Sequence, residues 1–321
     1  MKDFAGRFAV ITGGGTGMGR ELARQLVAEG CNVAMCDVSG ANMAVTTSLC
    51  EAHAPQGTRV TSFVADVSDE AAMIAFRDAV ARDQDTDRIH LLFNNAGIGG
   101  GGGFVNGDRE GWERTFNICW GGVYNGCRVF LPMLMAADEG HIVNTSSVNG
   151  FWASLGPHTS HTAYAAAKFA VKGFTEALIT DLRLNAPHIG CSVVMPGHIG
   201  TEIVANSRKV LTGDESDRLS AGAIAQARAR MTAMGVAPPE TDEQIQALMA
   251  EAARRFHDDA PMTAAAAATV ILDGVRAGRW RILVGEDAQA LDGMVRADPK
   301  QAYEPEFFQA LAARTGWRVG G

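Results

Sequence analysis

The run Thr12-Gly13-Gly14-Gly15-Thr16-Gly17-Met18-Gly19 constrains the fold of this chain more than any other stretch. It follows a short apolar strand, Phe8-Ala9-Val10-Ile11, and opens a helical segment with Leu22, Leu26 and Val27 on its apolar face. A glycine-rich turn between a strand and a helix N-terminus is a site for a pyrophosphate. Glycine lets the backbone bend and approach closely, while free N–H groups and the helix dipole face the negative charge. The spacing is T-G-x-x-x-G-x-G, not the G-x-G-x-x-G of the ordinary dinucleotide fingerprint. Taken alone, such a turn is also compatible with a plain tight βα connection, so the rest of the chain decides.

Short apolar runs alternate with longer segments of helical period. Strands are expected at 8–11, 32–36, 60–65, 91–94, 142–145, 192–195 and 282–284, and helices near 17–29, 40–53, 69–82, 109–136, 162–185 and 263–277. Several of the strands are apolar almost throughout, as parallel strands covered on both faces must be. The alternation predicts an α/β fold, a Rossmann-type doubly wound parallel sheet of about seven strands, with residues 1–321 forming a single domain. Three segments break the rhythm, a glycine run at 99–103, an irregular loop at 148–161 and a strandless insert at 202–261, and a C-terminal extension follows from 286 to 321. The insert spaces Ile224, Met231 and Met234, then Ile245, Leu248, Met249 and Phe256, as two or three amphipathic helices broken at Gly235-Val236-Ala237-Pro238-Pro239. So long an insert without strands is better read as a helical lid than as a second domain. Its methionines, with Met262, suit a flexible apolar cover, although a methionine stripe is more often plain packing.

Charge and cysteine usage narrow the function classes. Lys and Arg number 28 against 36 Asp and Glu, for a net charge of −8, and no basic block stands out. Nucleic acid and anionic membrane surfaces are therefore not expected partners. No apolar run approaches a membrane span, and the first strand begins too soon to leave room for a signal peptide. Cys31, Cys36, Cys50, Cys119, Cys127 and Cys191 show neither metal-ligand spacing nor a C-x-x-C pair. A reduced, cytoplasmic setting and no metal site are expected.

The chemistry sits in a fixed order along the sheet. Asp37 ends the second strand about twenty residues beyond the glycine turn. A carboxylate there accepts hydrogen bonds from both ribose hydroxyls and repels a 2′-phosphate, favouring NAD over NADP. Asp66-Val67 follows the third strand, Asn94-Asn95-Ala96-Gly97 the fourth, and Ser146-Ser147 the fifth. Tyr164 and Lys168 then lie four residues apart on one helix face. A nearby ammonium favours the phenolate, so Lys168 is expected to lower the Tyr164 pKa towards neutrality.

In this order and spacing the chain resembles the short-chain dehydrogenase/reductase family, motif by motif over roughly residues 5–201 and again near 280–285. The resemblance implies that Gly13, Thr16, Gly17, Met18 and Gly19 cradle the pyrophosphate of a nicotinamide cofactor. Asp66 and Val67 would flank its adenine, and Asn94, Ala96 and Gly97 would back it. Ser147 would hold the substrate oxygen and Tyr164 would be the acid/base. Lys168 would bind the nicotinamide ribose and tune Tyr164. Pro196, Ile199 and Thr201 would seat the carboxamide. The implied reaction is hydride transfer between nicotinamide and a secondary alcohol or ketone, with oxidation fastest at mildly alkaline pH. A small-molecule substrate and a homodimer or homotetramer built on helices 109–136 and 162–185 go with it.

Two departures stand out. The position seven residues after Trp112, where the family carries an asparagine, is Cys119, with Asn117 two residues earlier. A packed cysteine is expected there rather than a reactive thiol. The gap between Ser147 and Tyr164 exceeds the family's by about four residues. Phe151, Trp152, His158 and His161 in that gap suggest contact with a bulky, hydrophobic substrate, or loop decoration for the two histidines and burial for Trp152. His198 faces substrate or is a simple loop residue. The alternative readings are a 3-oxoacyl-thioester reductase, which Asp37 opposes, and a non-catalytic dinucleotide sensor, which the complete Ser147-Tyr164-Lys168 set opposes.

Overall fold

The computed structural model describes residues 1–100, 102–105, 107–156, 159–214, 218–233 and 235–317. Seven parallel strands form one sheet in the order β3-β2-β1-β4-β5-β6-β9. They are β1 (Phe8–Thr12), β2 (Asn32–Asp37), β3 (Val60–Val64), β4 (Leu91–Asn94), β5 (Gly140–Thr145), β6 (Ile189–Pro196) and β9 (Arg281–Val284). All seven coincide with the expected apolar runs. β1 takes two partners, with Ala9 opposite Val33 of β2 and Leu91 of β4, so the strand order reverses beside it. Ligands of doubly wound sheets bind at such a switch point, outside the C-terminal strand ends.

Burial follows position in the sheet. β4 and β5 are buried at every residue, whereas the edge strand β3 alternates and leaves Val64 exposed. One apolar layer packs α3 (Glu70–Asp83), α5 (Gly122–Met135) and α6 (Thr162–Asn185) on one face. The other packs α1 (Gly17–Ala28) and α10 (Ala264–Arg276) on the opposite face. The expected helix at 109–136 is interrupted: α4 (Arg109–Phe116) passes into a π turn at Asn117–Gly121 before α5 resumes. Gly121-Gly122 is a weak helical pair. Gly122 must also press against Val67, where a Cβ would come within 2.5 Å of the valine side chain.

Among its described residues the insert holds three helices, α7 (Ile203–Thr212), α8 (Ala221–Ala233) and α9 (Asp242–Asp258). Sequence pattern missed the device at its base. There β7 (Ile199–Gly200) pairs in parallel with β8 (Met262–Thr263), two residues each, too short for any period to register. The expected apolar stripe of α9 is also weaker than its spacing suggests: Ile245 is buried, but Leu248 and Met249 are exposed. Met234 lies outside the described residues. The tail folds as α11 (Glu286–Ala297) and α12 (Pro305–Thr315).

Candidate active site

A cleft of about 360 Å³ opens at the switch point. Its floor is the glycine turn. Gly13 adopts φ +69°, and a Cβ there would sit 2.8 Å from the Ala96 backbone; a Cβ on Gly19 would collide with the Gly13 carbonyl. Only glycine fits both places. The turn is fastened to the end of β4, since the Thr12 hydroxyl accepts from the Asn95 and Ala96 amides at 3.0 Å. Thr16, the N-cap of α1, makes no side-chain capping bond, and the first helical turn carries no acidic residue. No acidic residue of the helix's own first turn therefore competes for its amides and its positive dipole end.

The adenosine side is shaped by two carboxylates. Asp37 accepts from the Gly15 and Ser39 amides, each at 3.0 Å, and lines the cleft. Asp66 pairs with Arg114 at 2.6 Å and accepts from the Ser68 hydroxyl at 2.7 Å. Burial pushes its pKa up, but the Ser68 and Arg114 hydrogen bonds outweigh that and hold it below the usual carboxylate range. Asn125 donates to the Val67 carbonyl at 2.9 Å and fixes the adjoining wall.

Ser147, Tyr164 and Lys168 come together beyond the far end of this cleft. Ser147 is near enough to the Tyr164 phenol to affect its pKa. Lys168 is buried, lies 5.3 Å from the Tyr164 ring centre and donates to the Thr145 carbonyl at 2.8 Å. A Cβ on Gly97 would lie 3.5 Å from the Lys168 ammonium, so Gly97 lets the cleft reach the trio. Burial pushes the Tyr164 phenol up, Cys119 adds to the rise, and the neighbouring Ser147 opposes it. The expected lowering by Lys168 is thus reversed within the protein's own groups. Burial also lowers the Lys168 pKa, with Cys119 opposing.

A sequence profile of the short chain dehydrogenase family matches residues 7–212. The chain belongs to this family. The Mycobacterium tuberculosis protein SadH is 34% identical over 296 residues, 92% of either chain. A levodione reductase from Leifsonia aquatica is 34% identical over 214 residues, 65% of this chain and 75% of its own. Among solved structures, a Burkholderia phymatum short-chain dehydrogenase in complex with NAD superposes with a TM-score of 0.74 at 29% identity, covering 95% of this chain and 98% of its own. As a short-chain dehydrogenase, the chain is an oxidoreductase of a family that binds nicotinamide cofactors. The glycine cradle, the acid-free helix terminus and Asp37 fit such a group.

Other sequence-derived positions are distributed less simply in this short-chain dehydrogenase. Gly13, Thr16, Gly17, Met18, Asp37, Asp66, Val67, Ala96, Gly97 and Thr201 line the cleft. Asn94 does not: it is buried beneath, donating to Asn144 at 2.8 Å, while its neighbour Asn95 lines the cleft instead. β alternation explains the swap, because adjacent residues at a strand end face opposite ways. Gly19 acts below the turn, and Pro196 and Ile199 are buried behind the cleft in strand pairings. Cys119 is buried beside Gly97, bonds the Ile98 carbonyl at 3.2 Å and has its thiol pushed up by desolvation, whereas Asn117 is exposed. Cysteine thus occupies the inward position in the short-chain dehydrogenase register, as an inert packed thiol.

The loop after Ser147 turns its aromatic residues into the tail. Trp152 is fully buried, but against Phe307, Phe308 and Trp317 of the tail, with its indole N–H donating to the Ala302 carbonyl at 2.6 Å. Phe151 packs on the same cluster. His161 remains at the site, its ring 4.7 Å from that of Tyr164; His158 lies outside the described residues. The His198 side chain turns to the lid, bonding the Phe256 carbonyl at 2.7 Å and packing on the Phe256 ring. Sequence reasoning missed Arg114, Asn125 and Asn149, which holds the Trp152 and Ser154 carbonyls at 2.9 and 2.6 Å. Asn125 had a signal, a lone amide inside the apolar helix α5. Arg114, on a charged helix, had none.

Proposed function

We propose that this protein is an NAD-dependent short-chain dehydrogenase that interconverts a secondary alcohol and a ketone, with Tyr164 as acid/base. The observation that carries the reading is the grouping of Tyr164 with Ser147 and with buried Lys168, whose ammonium lies 5.3 Å from the phenol ring centre, where the cleft ends. When bound, the nicotinamide supplies or accepts the hydride. Ser147 holds the substrate oxygen, and Tyr164 gives that oxygen a proton in reduction and takes one in oxidation. Lys168, anchored on the Thr145 carbonyl, fixes the geometry beneath the ring and offers its ammonium to the nicotinamide ribose. Asp37 selects NAD, because its carboxylate stands where a 2′-phosphate would bring like charge.

Ile203 and Val210 of the lid line the cleft, and this apolar cover supports a bulky, hydrophobic substrate. The similarity to a levodione reductase supports a ketone. The same reading takes residues 1–321 as one Rossmann-type domain, with 202–261 as lid and 286–321 as extension. It includes a homo-oligomer, supported by the exposed Tyr124 and Met135 on α5 and Phe169 and Leu184 on α6. No described helix is long and apolar enough to cross a membrane.

Replacing Tyr164 with Phe tests the assignment. Turnover of a secondary-alcohol panel should disappear while NAD binding stays within about twofold; near-normal turnover would sink the role. The pH dependence follows from the raised phenol. Tyr164 is protonated at neutral pH, so oxidation should quicken as pH rises and phenolate forms, and reduction should slow. A preference for NADP in the same assay would overturn the role of Asp37.

A further inference from the structure

The insert meets the cofactor cleft. The Asn206 amide on α7 donates to the Thr16 hydroxyl at 3.0 Å, touching the N-cap of the helix that follows the glycine turn. One residue on, the buried Ser207 hydroxyl accepts from the Gly99 amide at 2.7 Å. The packing is equally close at Gly100, where a Cβ would lie 2.5 Å from the Leu211 side chain. Helix α7 is therefore bonded to both rims of the cleft, the glycine turn and the loop after β4.

Lys209 lies one helical turn beyond Asn206, on the same face. It is the only lysine or arginine among the described residues that line the cleft. The acids that line it are Asp37, which accepts from the Gly15 and Ser39 amides, and Asp66, which pairs with Arg114. A dinucleotide would thus bring its negative diphosphate into a cleft whose own side chains supply one cation, and that cation comes from the insert. A charge-assisted contact from Lys209 would complement the turn amides and the α1 dipole.

We propose that Lys209 is a cofactor-binding residue that meets the diphosphate, and that α7 is a wall of the cofactor site as well as a substrate cover. This rests on the reading of the cleft as a nicotinamide-dinucleotide site. The test is calorimetric titration of the full chain with ADP-ribose, which carries the diphosphate, and with adenosine, which does not. Lys209→Ala should weaken ADP-ribose about tenfold, flatten its salt dependence and leave adenosine within about twofold. Lys209→Arg should restore most of the loss. Lys209→Met, which keeps the apolar stem, should behave as the alanine variant does, and a melting curve for each variant verifies folding. Unchanged ADP-ribose binding in Lys209→Ala, or equal weakening of both ligands, would overturn the proposal while leaving the dinucleotide reading intact. A wild-type protein that binds neither ADP-ribose nor NAD would overturn both.

Discussion

Residues 203–258 and 286–315 both extend the parallel sheet, yet they are held in opposite ways. The later segment buries Ala288, Leu291, Ala302, Phe307 and Leu311 around Trp152, and Arg281 of β9 pairs with Asp292 of α11. The earlier segment is longer, but among its described residues only Ser207, Ile224 and Ile245 are buried. It is held instead by point contacts: Asn206 and Ser207 at one end, then His198 with Phe256 and the two-residue β7–β8 pairing at the other. Apolar area removed from water supplies most of folding stability, whereas local opening is cheapest where that area is small. The tail is thus part of the core that shapes the loop between Ser147 and Tyr164, and the insert is a cover hinged at its base.

Trp152→Ala gives the largest effect expected from this difference. It removes a fully buried indole shared by three tail aromatics and should cost about 3–5 kcal/mol of global stability. Turnover should fall with it, because Asn149 and Trp152 set the path of the loop leaving Ser147. Chemical denaturation measures the loss. A wild-type midpoint would break the contrast by making the tail an appendage. Trp152→Phe should recover part of the loss, since the ring contacts survive and the hydrogen bond to Ala302 does not.

The same contrast explains what could be read from sequence. The inner strands of the large sheet were legible because both-face burial writes continuous apolar runs such as Leu91-Leu92-Phe93. The glycine turn, Tyr164 and Lys168 were legible because backbone approach and helical spacing leave few residue choices. The partner of Trp152 was not, because Phe307, Phe308 and Trp317 lie some 150 residues away with nothing local to join them. The reversed Tyr164 shift has a similar cause. Spacing reveals that Lys168 is near, but not that burial and Cys119 outweigh it.

Trypsin gives the next effect in size, since both segments offer an exposed basic residue between two helices. Arg218 lies between α7 and α8, and Lys300 between α11 and α12. Cleavage at Arg218 should precede that at Lys300 by about tenfold or more in rate, read by mass spectrometry of the first fragments. Equal rates would remove the distinction between hinged and packed attachment.

Ile245→Ala should have the smallest effect on the whole molecule. Ile245 is the fully buried residue of α9, and its truncation loses local packing in the insert. If the insert opens on its own, that loss lowers the opening free energy and leaves global unfolding nearly untouched. The global unfolding free energy should then fall by less than about 1 kcal/mol, while Arg218 cleavage quickens several-fold and KM for a bulky alcohol rises. A midpoint loss as large as that of Trp152→Ala would mean that insert and sheet unfold as one unit. The point contacts at Thr16, Gly99 and Phe256 would then be as binding as the aromatic cluster.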